Sequence, residues 1–275
     1  MRNTDDLETA IARAAEAIEE ASAILITAGA GMGVDSGLPD FRGTAGFWGA
    51  YPALGRAGMH FGDIANPQAF ADDPQLAWGF YGHRLQLYRD TVPHAGFALL
   101  QQWASTMPYG AFVFTSNVDG QFQRAGFHPD RLIECHGSIH HLQCSSGCDD
   151  IWPADAFTPT IDAQQCRLLS PLPRCPHCGA LARPNILMFD DWHWLEQRTE
   201  AQQRRYRQWR AQPRQPVIIE IGAGTAIPSV RHFGEQQPVP LIRINKREAA
   251  VRRPDDVALP LGGLEALQQL QKLLD

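Results

Sequence analysis

Four short apolar runs, each closing on glycine or a small polar residue, constrain this chain more than any other feature of its 275 residues. Ala23-Ile24-Leu25-Ile26-Thr27 ends in Ala28-Gly29-Ala30-Gly31, and Ala111-Phe112-Val113-Phe114-Thr115 ends in Ser116-Asn117-Val118-Asp119. Val217-Ile218-Ile219-Glu220-Ile221 ends in Gly222-Ala223-Gly224-Thr225, and Val239 to Ile244 stops at Asn245. Continuous rather than alternating hydrophobicity marks strands covered on both faces, as in a parallel sheet. Ligands of open α/β sheets bind beyond the carboxyl ends of the strands, so these four loops are expected to converge on one crevice. An amphipathic helix is read over residues 4–22, where Leu7, Ile11, Ala14, Ala15 and Ile18 recur at spacings of three and four; Thr4 or Asp5 would cap it. Leu264 to Leu274 reads as a closing helix. The fold class that follows is α/β, with a Rossmann-like parallel sheet.

Two intervening stretches differ in character. Residues 44–90 are rich in aromatics, glycine and proline (Phe47, Trp48, Tyr51, Phe61, Phe70, Trp78, Phe80, Tyr81) and read as a helical and loop insertion. Residues 138–188 hold two cysteine pairs and many prolines. The expected organisation is a Rossmann-like domain made of 1–43, 91–137 and 189–275, interrupted by the helical insertion 44–90 and by a zinc-ribbon module over 138–188. With 44% hydrophobic residues the chain can bury one large core and a smaller one. A formal charge of -6 and a pI near 5.9 argue against a nucleic-acid footprint. The run Arg204, Arg205, Arg207 and Arg210 reads as a solvated helix face. No stretch reaches the roughly 18 apolar residues that cross a bilayer, and the acidic, Ala-rich start lacks a secretory pattern. A cytoplasmic protein without a membrane partner is expected.

Cys144 and Cys148, then Cys175 and Cys178, form two knuckles, the second containing Pro176 and followed by Gly179. Four thiolates in this pattern suit tetrahedral zinc, and with all four positions filled the ion would be structural. His140, His141 and His177 are nearby competitors for a ligand position, while Cys135 and Cys166 fall outside the pattern as plain thiols.

A lone Gly-Ala-Gly after a strand says little, because tight strand-to-helix turns use glycine for backbone reasons. Backbone N–H groups of Gly29, Ala30 and Gly31 could approach a diphosphate, with a helix start behind them. Asn117 and Asp119 offer an amide and a carboxylate for holding a substrate group, or merely make a turn. His136 can serve as a general base, or sit as a satisfied interior histidine.

The run Gly29-Ala30-Gly31-Met32-Gly33-Val34-Asp35-Ser36-Gly37-Leu38-Pro39-Asp40-Phe41-Arg42 closely resembles the NAD-binding signature of the sirtuin family, in its bacterial type. Thr115-Ser116-Asn117-Val118-Asp119, His136-Gly137, and the cysteine pairs followed by Arg183-Pro184-Asn185 appear in that family's order, so the resemblance covers roughly residues 20–250. It implies an NAD-dependent protein-lysine deacylase that releases nicotinamide and O-acyl-ADP-ribose. NAD would be the co-substrate, zinc a structural ion, and an acylated protein or peptide the partner. On that resemblance His136 is the base acting on a ribose hydroxyl, Asn117 positions ribose and water, Asp119 holds the nicotinamide carboxamide and Phe41 shields the ribose. Gly29, Ala30, Gly31, Gly33, Asp40, Phe41, Arg42, Ser116, Gly222, Ala223, Gly224 and Asn245 complete the expected NAD site.

Three positions depart from the family's commonest pattern. Gly33 stands where serine is usual, Ser116 replaces a glutamine, and Gly222-Ala223-Gly224-Thr225 replaces glycine-threonine-serine. The segment Asn117 to Phe127 also resembles the macrodomain-linked sirtuins, which implies protein ADP-ribosylation as the alternative activity. A non-catalytic NAD or ADP-ribose sensor is a third reading, and a redox dehydrogenase leaves the cysteine knuckles unexplained. Tyr81 and Arg84 lie one helical turn apart, as in sirtuins that prefer malonyl- or succinyl-lysine, and could grip a distal carboxylate. The segment Phe189-Asp190-Asp191-Trp192-His193-Trp194 is expected where the peptide passes, or in the hinge between domains.

Overall fold

The computed structural model describes residues 2–40 and 43–274. In chain order its strands are β1 (Ala23–Ala28), β2 (Ala111–Thr115), β3 (Leu132–Glu134), β4 (Gly137–Cys144), β5 (Ile151–Pro153), β6 (Ile161–Asp162), β7 (Arg167–Leu168), β8 (Ala182–Ile186), β9 (Pro216–Ile221), β10 (Leu241–Ile244) and β11 (Val257–Leu259). The helices are α1 (Arg2–Glu19), α2 (Gly31–Val34), α3 (Gly43–Ala50), α4 (Pro52–Arg56), α5 (Phe61–Ile64), α6 (Pro67–Asp72), α7 (Pro74–Asp90), α8 (Ala95–Ser105), α9 (Gln121–Arg124), α10 (Gln197–Arg210), α11 (Ser229–Glu235) and α12 (Gly263–Leu274).

The main sheet is parallel throughout, in the order β11-β10-β9-β1-β2-β3. This is the doubly wound Rossmann order: the chain steps outward from β1 on one side, then returns to β9 and steps outward on the other. The reversal lies between β1 and β9, whose loops are the two glycine turns. Alternate residues of each strand face opposite layers. Ile24, Ile26, Val113, Ile219 and Ile242 pack with Ile11, Leu100 and Leu267 from α1, α8 and α12. Leu25, Phe112, Phe114 and Ile218 pack with Tyr206, Trp209 and Val230 from α10 and α11.

Several expectations need correction. The first helix begins at Arg2, so Thr4 and Asp5 lie inside it rather than at its start. The fourth strand starts at Leu241 rather than Val239, because Pro238 and Pro240 bracket Val239 and neither can donate to a ladder. Two edge strands, β3 and β11, extend the sheet beyond the four runs read from the sequence.

The smaller lobe carries a three-stranded antiparallel sheet, β5-β4-β8, and the β6-β7 ribbon beside helices α3 to α7. Its helical and cysteine-bearing segments share one core, in which Phe47, Trp78 and Phe80 pack with Ile139, Leu142, Leu168 and Ala182. Trp78 Nε1 donates to Ala182 O at 2.9 Å, and Arg89 donates to the carbonyls of Phe157 and Ala154, each at 2.8 Å. The two insertions are therefore halves of a single packed unit. Among the described residues no helix is long and apolar enough to cross a membrane.

Candidate functional site

A cavity of about 600 Å³ opens between the lobes, beyond the carboxyl ends of β1, β2 and β9. The large lobe contributes Gly29, Ala30, Ser116, Asn117, Asp119, His136, Ala223 and Gly224 to its wall. Asp40 lines it too, while the small lobe supplies Tyr81, Arg84 and Tyr88 from α7 and Met188 and Phe189 from the segment after β8. Eleven of the expected residues thus line one crevice, whereas Phe41 and Arg42 lie outside the described residues.

The glycine turns serve each other before they serve a ligand. Gly29 N–H donates to Ile221 O at 3.0 Å and Gly31 N–H to Gly222 O at 3.1 Å, which leaves Ala30 N–H as the donor of the three without a partner among the described residues. Gly222 adopts φ +63°, and a Cβ there would stand 2.4 Å from the Gly31 backbone. The expected approach of Gly29 and Gly31 N–H groups to a diphosphate is corrected accordingly: these glycines let the β1 and β9 loops touch. Gly31, Gly33, Gly222 and Asn245 do not line the cavity. Gly33 lies under Leu38, whose side chain a Cβ would meet at 3.1 Å. Asn245 holds the β9 loop from behind, donating to Ala223 O at 2.8 Å and accepting from Arg247 and Glu248 N–H.

Asn117 bridges two strand ends: its Nδ2 donates to Gly29 O at 3.0 Å, and its N–H to Thr115 Oγ1 at 3.0 Å. Asp119 is buried and accepts from Gln121 N–H at 2.9 Å. Burial pushes its carboxyl up to about 6, against the pull of that N–H bond and of nearby Arg84. A carboxyl poised this way can accept or donate near neutral pH. His136 sits between β3 and β4, and the glycine after it is dictated by space: Gly137 has φ +77° and a Cβ there would lie 2.0 Å from Asn185 O. Burial lowers the His136 imidazole below the usual histidine value, so it is neutral, and able to take a proton, at pH 7. Its Nε2 stands 3.2 Å from Ser229 Oγ.

Arg84 is buried in a cage of rings, 5.2 Å from the Phe80 centroid, 5.7 Å from Tyr81 and 5.4 Å from Tyr88. Its Nε and Nη2 donate to Tyr88 Oη at 3.0 and 2.8 Å. Burial raises the Tyr81 and Tyr88 phenols above their usual value, so both are neutral hydrogen-bonding groups here. Tyr88 was missed in the sequence, although it follows Tyr81 by seven residues, which places both on one helical face.

The segment after β8 is held by a buried ion pair. Arg183 donates through Nη1 and Nη2 to the two oxygens of Asp191, both at 2.8 Å. Asp191 also accepts from the N–H groups of Met188 and His193. Phe189 N–H donates to Ala65 O at 2.9 Å, and Leu187 N–H to His136 O at 3.0 Å. Within residues 189–194, Phe189 lines the cavity and Asp191 anchors the turn through Arg183, while Trp192 stands 91% exposed.

Away from the cavity, the Sγ atoms of Cys144, Cys148, Cys175 and Cys178 lie within 4.8 Å of one another. Cys144 and Cys178 approach to 3.6 Å. Tetrahedral zinc with Zn–S bonds of 2.3 Å sets sulfurs about 3.8 Å apart, so the donor set fits a structural zinc ion. The competing histidines are used elsewhere: His140 Nε2 bonds Asp119 O at 2.9 Å, and His177 pairs with Asp150 at 2.9 Å. His141 is not among the clustered donors.

Comparison with known proteins agrees with this architecture. Residues 29–208 match the Sir2 family. The chain is 35% identical over 188 residues to a mitochondrial NAD-dependent protein deacylase, sirtuin-5, of Canis lupus familiaris, covering 62% of this chain and 57% of that protein. It is 33% identical over 178 residues to an NAD-dependent protein deacylase of Thermus thermophilus, covering 63% and 61%. The match thus spans about three-fifths of the length of these relatives. A solved Sir2 homologue in complex with NAD superposes with a TM-score of 0.65 at 23% identity, over 95% of this chain and 94% of that one. A mutant Sir2 homologue in complex with ADP-ribose gives 0.68 at 24%, over 95% and 96%. Both share the fold.

Proposed function

The chain belongs to the Sir2 family, and from that premise we propose that it is an NAD-dependent protein-lysine deacylase acting in the cytoplasm on acylated proteins or peptides. The observation that carries the reading is the convergence of His136, Asn117 and Asp119 on one crevice at the switch point of the sheet, with a buried cation, Arg84, on the facing wall. NAD, when bound, supplies a ribose whose glycosidic bond can be exchanged for a bond to an acyl oxygen. Ala30, Ser116 and the Ala223-Gly224 turn would hold it, with Asn245 and the paired glycines keeping that wall in shape. His136, neutral at pH 7, would take the proton of a ribose hydroxyl. Asn117 would orient the ribose, and Asp119 would hydrogen-bond a carboxamide. The small lobe would choose the acyl group: the Arg84 guanidinium and the Tyr81 phenol together fit a distal carboxylate, which points to succinyl- or malonyl-lysine beside acetyl-lysine.

The test is incubation of the protein with NAD and a panel of acetyl- and succinyl-lysine peptides, following nicotinamide and deacylated peptide by mass spectrometry beside His136→Ala. Equal amounts of both products, abolished by the substitution, are expected. Nicotinamide release with ADP-ribose attached to protein would replace the proposal by a transferase, and NAD binding without turnover would replace it by a sensor.

A further inference from the structure

Ser229 opens α11 and lies 93 positions from His136 in the chain, yet their side chains meet at 3.2 Å, Oγ to Nε2. The wall around this contact is apolar on the α11 side, where Ala226, Ile227 and Val230 line the cavity. We propose that Ser229 is a positioning residue for His136, its hydroxyl fixing the ring's rotamer and keeping Nε2 the basic nitrogen. This rests on the reading of His136 as the base.

The chemistry follows from what a hydroxyl can do. It is both donor and acceptor, so it serves either protonation state of an imidazole by turning about its C–O bond. While the ring is neutral, Ser229 donates to the Nε2 lone pair, and the ring proton sits on Nδ1. For proton transfer the Ser229 hydroxyl turns off the Nε2 lone pair and a substrate O–H takes its place; the proton passes from the substrate oxygen to Nε2, one O–H bond breaking and one N–H bond forming, and Ser229 Oγ then accepts from the new N–H. An alanine here would remove the hydroxyl that meets Nε2 in both states. The imidazolium would lose more, because charge-assisted hydrogen bonds are roughly twice as strong as neutral ones. The ionisable groups on the same cavity are Asp40, Tyr81, Arg84, Tyr88, Asp119 and Glu248. Burial lowers the His136 imidazole, and Ser229 Oγ is the side-chain group that meets its Nε2.

The experiment compares wild type, Ser229→Ala and Ser229→Thr, all zinc-loaded and full length. It reads the imidazole titration of His136 by NMR and the pH profile of kcat for nicotinamide release. Ser229→Ala is expected to lower the His136 midpoint by about half to one pH unit. It should cut kcat about tenfold, part of the roughly 10²–10⁴ that a general base supplies. KM for NAD should stay within about twofold, and threonine, which restores the hydroxyl, should restore midpoint and rate. An unchanged midpoint and profile in Ser229→Ala would overturn the inference. Wild type that binds NAD but releases no nicotinamide would defeat the deacylase reading instead, and the NMR titration would still decide Ser229. If Ser229→Ala fails to fold, Ser229→Cys, of similar size with a weak donor, carries the same titration.

Discussion

Replacing Arg84 by methionine is expected to separate acyl recognition from catalysis. The side chain is 7% exposed, so the cost of stripping water from its guanidinium has already been met in folding, and an arriving carboxylate meets a cation that is dry and oriented. Tyr88 Oη, accepting from Nε and Nη2, fixes that orientation. A charge-assisted hydrogen bond in such a place contributes about 1.5–3 kcal/mol. At about 1.4 kcal/mol per tenfold, its loss corresponds to roughly 10- to 150-fold in kcat/KM for a succinyl-lysine peptide. Acetyl-lysine has no carboxylate to lose, so its kcat/KM is expected to stay within about threefold. Methionine is chosen because it is unbranched and keeps most of the volume among Phe80, Tyr81 and Tyr88, so the cage does not collapse. The Tyr88 hydroxyl loses its donors, at a cost of about 1–3 kcal/mol in stability, which a thermal melt reads independently of rate. Initial rates for matched succinyl and acetyl peptides at saturating NAD give the ratio directly. Equal losses of both activities, in a protein that still melts cooperatively, would refute the role of Arg84 in acyl choice.

Three further outcomes are expected. Stripping the four-cysteine site with a strong chelator should unfold the small lobe and end nicotinamide release together, since structural zinc contributes about 10–16 kcal/mol in small peptides, as much as the whole stability of a domain; a chelated protein with undiminished melting temperature and turnover would contradict a structural ion. Asp191→Asn leaves Arg183 buried opposite a neutral amide, and urea unfolding should show a loss of about 3–5 kcal/mol together with a raised KM for peptide, because the Met188–Phe189 wall loses its anchor; a loss below about 1 kcal/mol would show that the pair contributes little net stability. Burial holds His83, His94, His136, His140 and His141 below the usual imidazole value, so the unfolded chain takes up protons first as pH falls through about 6.5, and stability should drop between pH 7 and pH 5. Asp119, pushed up to about 6, works in the opposite direction as the pH falls, but as one group against five; urea midpoints that rise on acidification over this range would reverse the assignment.

The parts of the fold that the sequence disclosed are those whose physical signature is local. Apolar runs of five or six residues disclosed β1, β2 and β9, and the cysteine spacing disclosed the thiolate cluster. Leu132–Glu134 and Val257–Leu259 are too short to carry a periodic signal, and they become strands only because β2 and β10 present unpaired edges to them. The contacts inside the small lobe were hidden for a related reason: Trp78 and Ala182 are joined by a hydrogen bond across 104 positions, which no window of sequence contains. At the site, residue types were legible and their duties less so. Gly31 and Gly222 were marked by the glycine turns, but only the 2.4 Å at which a Cβ on Gly222 would stand from the Gly31 backbone shows that one loop is shaped against the other. Asn245 falls at a strand end as expected, yet its amide is turned to Ala223 O, behind the wall it helps to build. Ser229 carried no signal at all, because a serine at a helix start is what capping alone would place there.

The division of labour between lobes follows from these placements. The Rossmann sheet leaves an open crevice where its strand order reverses, and the groups suited to proton transfer stand on the loops that border it, fixed by bonds between neighbouring strand ends: Asn117 to Gly29, Gly31 to Gly222. The facing wall comes from α7 and the turn after β8, which belong to a different core and are tied to the crevice through Leu187 N–H on His136 O and Arg183 on Asp191. Groups packed in separate cores can be altered independently, since substitutions that share no partner add nearly independently. Changes at His136 or Asn117 should therefore lower every acyl activity by a common factor, whereas changes on α7 should alter the ratio between acyl groups. A double substitution, Ser229→Ala with Arg84→Met, tests this in one step: nicotinamide release should fall to the level of Ser229→Ala alone with acetyl-lysine, and a further large drop with acetyl-lysine would mean that the two walls act as one unit.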